Sequence, residues 1–118
     1  MSVRVAILIP ARNEAESIRE TLHALREALP DAPVLVLDDG SVDTTVERAL
    51  QAGAQVVSVS NYLPRTGSKG DALWLGWQLI EAENYLFLDA DLGSSARYAP
   101  RLLTPVQLRY ADMTIGVL

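Results

Sequence analysis

The chain has 118 residues, of which 49% are hydrophobic and 21% charged, a composition sufficient for one globular domain with its own core. Fifteen acidic and ten basic residues give a net charge of −5, which disfavours a nucleic-acid partner because binding phosphate backbones needs a basic face. The absence of cysteine excludes disulfides, thiolate metal sites and thiol nucleophiles. No apolar run approaches the roughly 20 residues of a membrane span, so we expect a cytoplasmic domain.

Strand-like and helix-like patterns alternate along the chain. Buried strands are predicted at 3–9, 34–37, 55–59, 85–88 and 111–118. Helices are predicted over about 13–29, 43–52 and 71–82, with a further helix after residue 94 that two prolines interrupt. This alternation predicts an α/β fold: a three-layer, Rossmann-like domain with a mostly parallel sheet.

Several element ends carry capping residues. The first strand is predicted to stop at Pro10, and Asn13 to cap the first helix with Glu16 completing a capping box. Ser41 or Asp43 is the predicted cap of the second helix.

Helical spacing also predicts which side chains face the core. The only histidine, His23, lies off the apolar stripe of its helix and is predicted to be a surface residue rather than a ligand or base. In the second helix Val46, Ala49 and Leu50 are predicted to point inward. The third helix is apolar on more than one side, which indicates either a fully internal helix or one that docks onto another part of the protein, a partner subunit or a membrane surface.

The most informative segment is the fourth strand, predicted to be buried on both faces and followed by Asp89-Ala90-Asp91. In an extended backbone residues i and i+2 project to the same side, so both carboxylates can reach one point while the small Ala90 faces away. Their repulsion at about 4 Å, roughly 1 to 4 kcal/mol, becomes attraction around a divalent cation. The alternative is a solvated turn in which Asp91 caps the next helix.

Polar residues follow three of the predicted strands. They are Arg12, Asn13 and Glu14 after the first strand, Asp38 and Asp39 after the second, and Asp89 and Asp91 after the fourth. In open parallel sheets ligands bind at the carboxyl ends of the strands, where the strand order reverses. The three groups therefore predict one binding site at that edge.

The ligand suggested by these residues is a nucleotide. Neither the glycine-rich dinucleotide fingerprint nor a phosphate-binding P-loop is present, which disfavours NAD binding and P-loop chemistry. The carboxylates of Asp38 and Asp39 are predicted to hold the base or ribose, and a metal on the later pair to carry the phosphates. Arg12, Arg65 and Lys69 are candidate phosphate contacts, with solvated surface charge as the alternative for each. Lys69 is the strongest because it opens a helix within a glycine-flanked loop.

Four segments in this order resemble the motifs of inverting family 2 glycosyltransferases of the GT-A fold, among them dolichyl-phosphate sugar synthases and bacterial cell-envelope transferases. The segments are IPARNE at 9–14, LDDGSVD at 37–43, GSKGDAL at 67–73 and LDAD at 88–91. Each is weak alone, but their order over residues 3–92 makes the resemblance specific.

The resemblance implies a site, a cofactor and partners. The implied substrate-binding residues are Pro10, Ala11, Arg12, Glu14, Leu37, Asp38, Asp39, Lys69 and Ala90, and the implied Mg²⁺ or Mn²⁺ ligands are Asp89 and Asp91. The donor would be a nucleotide-diphosphate sugar, and the acceptor a hydroxyl or a lipid phosphate at the inner face of the membrane, with peripheral membrane or homo-oligomer contacts. The family's catalytic base usually lies on a later acidic motif, so we expect residues 1–118 to be the N-terminal, nucleotide-sugar-binding part of a longer transferase.

Other functions stay open on the residues alone. A sugar nucleotidyltransferase shares the layered fold and the metal but should carry a glycine-rich basic loop after the first strand. A phosphohydrolase with an aspartyl nucleophile would need its acids after the first strand, and a non-catalytic module would bind nucleotide without transferring sugar.

Overall fold

The computed structural model describes residues 3–64, 67–107 and 109. Strands and helices alternate through these residues as the sequence predicts. The strands are β1 (Val3–Ala11), β2 (Val34–Asp38), β3 (Gln55–Ser58) and β4 (Ala82–Phe87), and the α-helices are α1 (Ile18–Ala28), α2 (Thr45–Gln51), α3 (Lys69–Leu79) and α4 (Pro100–Gln107). Short 3₁₀ helices cover Val59–Asn61 and Gly93–Tyr98. The predicted strand at 111–118 and the candidate phosphate contact Arg65 lie outside the described residues.

The four strands form one parallel sheet in the order β3-β2-β1-β4. From β1 the chain runs to one side through β2 and β3, and β4 then pairs with the other side of β1. The strand order therefore reverses between β1 and β4, which creates a crevice at their carboxyl ends. The predicted α/β fold is confirmed.

Apolar side chains alternate across the strands and produce two cores. On one face Ile7, Ile9 and Val36 pack in a cluster with apolar residues of α1, and Leu103 of α4 belongs to the same cluster. On the other face Leu8, Leu35 and Leu37 pack with Leu75 of α3. Because β-strand side chains point alternately to opposite faces, this pattern places a helical layer on each side of the sheet.

Pro10 controls where β1 and β4 separate. From Ile7 onward the odd-numbered residues of β1 bond toward β2, since Ala11 accepts from the Asp39 N–H at 2.9 Å, and the even-numbered ones bond toward β4, since Leu8 accepts from the Leu88 N–H at 3.1 Å. The missing N–H of Pro10 thus falls on the β4 side. Pairing with β4 ends at Leu8, whereas pairing with β2 continues to Ala11, and β1 runs one residue past the proline predicted to end it.

Three other predicted element bounds were wrong. Val59 belongs to a 3₁₀ helix rather than to β3. Helix α3 begins at Lys69 and ends at Leu79, before the predicted Ala82, because the backbone is already extended at Ile80. Strand β4 therefore starts at Ala82 instead of Tyr85.

The predictions of which side chains face the core were partly wrong. Phe87 was predicted to be buried, but it is 53% exposed, because α3 packs on β1 and β2 and leaves that face of β4 uncovered among the described residues. Leu50 is also exposed, whereas Ala49 beside it is fully buried. His23 lies on the surface beside Glu27, as predicted.

Helix α3 packs closely on the sheet through a glycine. A Cβ on Gly76 would lie 2.7 Å from Cδ1 of Leu37 and 3.1 Å from a methyl of Leu8, so only glycine allows this approach. The opposite side of the helix leaves Trp74 and Trp77 about half exposed, so the helix is not internal to the described fold. None of the helices within the described residues has the length and apolar character needed to cross a bilayer.

Candidate functional site

Hydrogen bonds join the loop after β1 to the loop after β2. Asn13 was predicted to cap α1, but its backbone is left-handed, with φ of 54°, and its side-chain oxygen accepts from the Val42 N–H at 2.8 Å. The Asn13 N–H in turn donates to Oγ of Ser41 at 2.9 Å. The predicted capping box is therefore wrong: α1 follows Ser17, and no side-chain cap bond is present there. Asn13 instead fixes the loop after β1 to the loop after β2.

Thr45 and Asp43 complete this connection. The Glu14 N–H donates to the buried hydroxyl of Thr45 at 2.8 Å, and the Ala15 N–H donates to Asp43 at 3.2 Å. The Thr45 hydroxyl donates to the Asp43 carboxylate, and this bond is the main cause that lowers the pKa of Asp43. Asp43 also accepts from the Thr45 N–H, but the cap position of α2 is Thr44, which makes no side-chain cap bond, so the predicted cap at Ser41 or Asp43 is wrong.

A cleft of about 210 Å³ lies at the carboxyl ends of β1 and β2 and the start of α3. It is lined by Pro10, Ala11, Arg12, Glu14, Asp39, Gly67, Ser68, Lys69 and Ala72. Six of the eleven site residues predicted from sequence are in this lining. The volume is below the 300–1,000 Å³ of typical ligand pockets, so a nucleotide sugar would extend beyond this cleft.

Two buried carboxylates lie at the end of β2, on its last residue and on the residue after it. Asp39 accepts a hydrogen bond from the Gly67 N–H, and Asp38 accepts one from the Ser41 N–H at 3.3 Å. The other oxygen of each, Oδ1, is buried and has no hydrogen-bond partner among the described residues. An unpaired buried acceptor costs about 1–3 kcal/mol, so these two oxygens are suited to a ligand that donates N–H or O–H groups.

Lys69 connects the cleft to the acidic segment after β4. Its ammonium lies 3.1 Å from Oδ1 of Asp89, while Lys69 itself lines the same cleft as Asp39. The hydrogen bond to Asp89 is the main cause that raises the pKa of Lys69, with smaller contributions from Asp91 and Glu14. The acids of β2 and β4 therefore lie at one edge of the sheet, with a lysine between them.

Glu14 lies among these charges. Desolvation is the main cause that raises its pKa, and the negative charge of Asp91 is the second. Lys69 acts in the opposite direction on the same carboxyl group. Glu14, Asp89 and Asp91 thus form an electrostatically coupled acidic group that a single lysine partly neutralises.

The residues after β4 fit a divalent cation that also binds a ligand. Asp89 and Asp91 are both exposed and offer carboxylate oxygens, the donors that Mg²⁺ prefers. Within the described residues no group of three or more acidic or histidine side chains could enclose a metal. Mg²⁺ usually binds one or two carboxylates together with substrate phosphates, so the two aspartates suit a cation that arrives with a diphosphate.

Five predicted site residues do not line the cleft. Asp38, Asp89 and Asp91 lie beside it, as described above. The side chain of Leu37 is fully buried against α3, so only its backbone could reach a ligand. Ala90 is 3% exposed and its carbonyl accepts a hydrogen bond from the Thr21 hydroxyl of α1.

Sequence reasoning missed two buried hydroxyls that hold the site loops, Thr21 and Thr45. Both are fully buried, and each bonds to a loop more than 30 residues away in sequence. The sequence did hold one signal for them: each is a threonine on the core side of a helix. A buried hydroxyl there needs a hydrogen-bond partner, which indicates a contact with another segment.

Sequence comparison identifies relatives over nearly the whole chain. The family model described as "Glycosyl transferase family 2" matches residues 6–118. Protein RfbJ of Shigella flexneri is 31% identical, with 98% of this chain and 85% of that protein covered. An undecaprenyl-phosphate mannosyltransferase of Micrococcus luteus is 40% identical over 97% of this chain, which spans only 48% of that relative.

The fold has a similar counterpart among solved structures. Glucosyl-3-phosphoglycerate synthase from Mycobacterium tuberculosis, in complex with Mn²⁺, UDP and glucosyl-3-phosphoglycerate, superposes with a TM-score of 0.77 at 32% identity. The match covers 88% of this chain and 39% of that one. The fold and the acidic residues at the strand ends agree with the family model, which spans almost all of the chain. The chain therefore belongs to glycosyl transferase family 2.

Proposed function

We propose that this chain forms the donor-binding part of a metal-dependent, inverting glycosyltransferase. The donor is a nucleoside-diphosphate sugar, and the acceptor is a hydroxyl or a lipid phosphate. The observation that carries the proposal is the position of Lys69, which lines the cleft beside Asp39 and contacts Asp89. One extended ligand can therefore contact the acids of both strands.

The nucleoside is assigned to the β2 end of the site. Asp38 and Asp39 each have a buried carboxylate oxygen without a partner among the described residues, and base N–H or ribose O–H groups would satisfy them. Pro10 and Ala11 form the adjoining wall of the cleft. The bonds of Asn13 and Thr45 keep this wall fixed relative to β2.

The diphosphate is assigned to the region between Lys69 and the two aspartates after β4. Lys69 lies near the N-terminus of α3, where backbone N–H groups also favour anions. Arg12 lines the same cleft and adds a second cation. When bound by Asp89 and Asp91, Mg²⁺ or Mn²⁺ would act as a Lewis acid that neutralises charge on the departing diphosphate.

The relatives support this assignment. The solved synthase holds UDP and Mn²⁺, so UDP is the first nucleotide to test. The solved synthase and the Micrococcus luteus transferase also suggest two acceptor classes, a phosphorylated small acid and a lipid phosphate. A lipid phosphate would place the enzyme at the inner face of the membrane. Family membership favours sugar transfer over the nucleotidyltransferase and phosphohydrolase alternatives.

The test is thermal unfolding of the purified protein with UDP, with and without Mn²⁺. We expect UDP to raise the melting temperature more with Mn²⁺ than without it, and we expect Asp91→Asn to abolish this metal-dependent gain. Asp31→Asn is the matched control, because Asp31 is an exposed acid in the loop before β2. An equal rise with and without metal, or no rise with any nucleoside diphosphate, would contradict the proposal.

An assay of sugar transfer distinguishes an enzyme from a module that only binds nucleotide. Incubation of the full-length transferase that contains this chain with a radiolabelled UDP-sugar and a membrane extract should release UDP and move label to an acceptor. Label that partitions into organic solvent identifies a lipid acceptor, and label that stays in water identifies a soluble one. Binding of UDP and Mn²⁺ with no transfer under either condition would support a non-catalytic module.

A further inference from the structure

Thr21 is a buried polar residue that the donor-binding proposal does not use. It lies on α1 with no exposed surface, beside the apolar residues Ile18, Leu22 and Leu25. Its hydroxyl could turn back to the Ser17 carbonyl of its own helix, which is 3.1 Å away. The shorter contact, however, runs to a different element.

The Thr21 hydroxyl connects two points of the acidic loop after β4. It donates to the Ala90 carbonyl at 2.7 Å and accepts from the Gly93 N–H at 2.8 Å. Asp91 lies between these two backbone groups. One side chain therefore fixes the backbone on both sides of a predicted metal ligand.

The sheet itself does not hold this loop. Pairing between β1 and β4 ends at Phe87, with one further bond from Leu88, so residues 89–93 lie beyond the sheet. Gly93 has a left-handed backbone, with φ of 58°, which turns the chain into the following 3₁₀ helix. The Ser17 hydroxyl approaches the Ala90 carbonyl at 3.4 Å and gives weaker support from the same helix.

We propose that Thr21 is a positioning residue for the metal site, which acts by holding residues 90–93 so that Asp91 and Asp89 present their carboxylates together. This inference rests on the proposed function, because it assumes that the two aspartates bind a divalent cation. The two carboxylates carry like charges and repel each other when no cation is present. A loop free to relax would separate these charges, and the hydroxyl bridge prevents that.

The test compares two substitutions of similar size. Thr21→Val keeps the shape and removes the hydroxyl, whereas Thr21→Ser keeps the hydroxyl. Loss of a residue that orients metal ligands typically costs 10–100-fold in metal affinity. We therefore expect Thr21→Val to weaken Mn²⁺ binding in the presence of UDP by about tenfold or more, and Thr21→Ser to stay within about threefold of the wild type.

Two further readouts separate positioning from general stability. UDP affinity without metal should change less than about twofold in Thr21→Val, because the nucleoside end does not contact this loop. Amide hydrogen exchange at Gly93 in the metal-free protein should accelerate in Thr21→Val and not in Thr21→Ser. If Thr21→Val does not fold, Ser17→Ala should still weaken Mn²⁺ binding several-fold, since Ser17 is only partly buried.

The outcomes distinguish the two proposals. A wild-type protein that binds no Mn²⁺ with UDP contradicts the donor-binding proposal itself. A wild type that binds both, with Thr21→Val binding Mn²⁺ equally well, overturns the positioning role alone. Equal losses of metal-dependent and metal-free UDP binding in Thr21→Val would also overturn it, because they would indicate a general loss of structure.

Discussion

The ammonium of Lys69 lies 3.1 Å from Oδ1 of Asp89, although 20 residues separate them in sequence and both side chains are mostly exposed. This pair joins the start of α3 to the end of β4 across the crevice between strands. The positively charged Lys69 therefore contacts a carboxylate that we propose as a metal ligand. Lys69 and the metal should therefore compete for Asp89 when no phosphate is present.

The first prediction concerns this competition. Lys69→Met should increase the affinity for Mn²⁺ alone, because Asp89 loses its competing partner. Exposed ion pairs are worth about 0.2–1 kcal/mol, so the increase should be roughly 1.4- to 5-fold. The same substitution should weaken UDP binding without metal, since a phosphate contact is lost. Free Mn²⁺ measured by electron paramagnetic resonance, with calorimetry for UDP, checks both results.

Arg19→Met is the matched control for this substitution. Arg19 is exposed on α1 and contacts Gln51, so replacing it removes one positive charge without altering the cleft. We expect no change in either affinity. Lower Mn²⁺ affinity in Lys69→Met would show that the lysine does not compete with metal and would contradict the prediction.

The second prediction concerns the close packing of α3 on the sheet. Gly76→Ala should destabilise the protein by about 1–3 kcal/mol, because its new methyl would lie 2.7 Å from Cδ1 of Leu37 inside a packed core. Urea unfolding measures this free energy. The displaced helix also carries Lys69, so weaker UDP binding should accompany the lower stability.

Gly70→Ala provides the comparison within the same helix. A Cβ there meets only Oγ of Ser68, at 3.7 Å, which is an ordinary contact. Since alanine is favoured over glycine in a helix interior by about 0.5–1 kcal/mol, Gly70→Ala should be neutral or slightly stabilising. If both variants lose the same stability, tight packing at Gly76 is not the cause.

The strand ends are the part of the site that the sequence predicts well. Apolar runs that stop at acids placed Asp39 and Asp89 at one edge of a parallel sheet, and the structure connects them through Lys69. This works because strand direction and side-chain alternation are local properties that a short segment determines.

The contacts between distant segments could not be predicted. Asn13 and Thr21 each bond to a segment at least 28 residues away in sequence, so local patterns assigned the first to a helix cap and overlooked the second. Phe87 was predicted to be buried because its segment is apolar, but its exposure depends on where α3 crosses the sheet. Both kinds of information arise only from the tertiary arrangement.

The third prediction concerns Asn13. Asn13→Ala should cost about 1–3 kcal/mol, because it loses the bond from the Val42 N–H and places an alanine in a left-handed backbone. Asn13→Gly removes the same bond without the backbone strain and should cost less. Urea unfolding of both variants measures the difference, and equal losses would contradict the role of the backbone conformation.

The last prediction concerns acid sensitivity. The Thr45 hydroxyl holds the pKa of Asp43 below its ordinary value of 3.8, so the ionised carboxylate is favoured in the folded state. A lowered folded-state pKa adds stability that is present above pH 3.8 and is lost as the pH falls through the folded-state value. Asp43→Asn should therefore reduce stability near pH 7, and its difference from the wild type should shrink toward pH 3.

Asp31→Asn is the control, because it replaces an exposed acid outside this network, and it should show no such convergence. Urea midpoints of the three proteins across this pH range provide the measurement, and a gap between wild type and Asp43→Asn that stays constant with pH would mean that this carboxylate does not hold the two loops together.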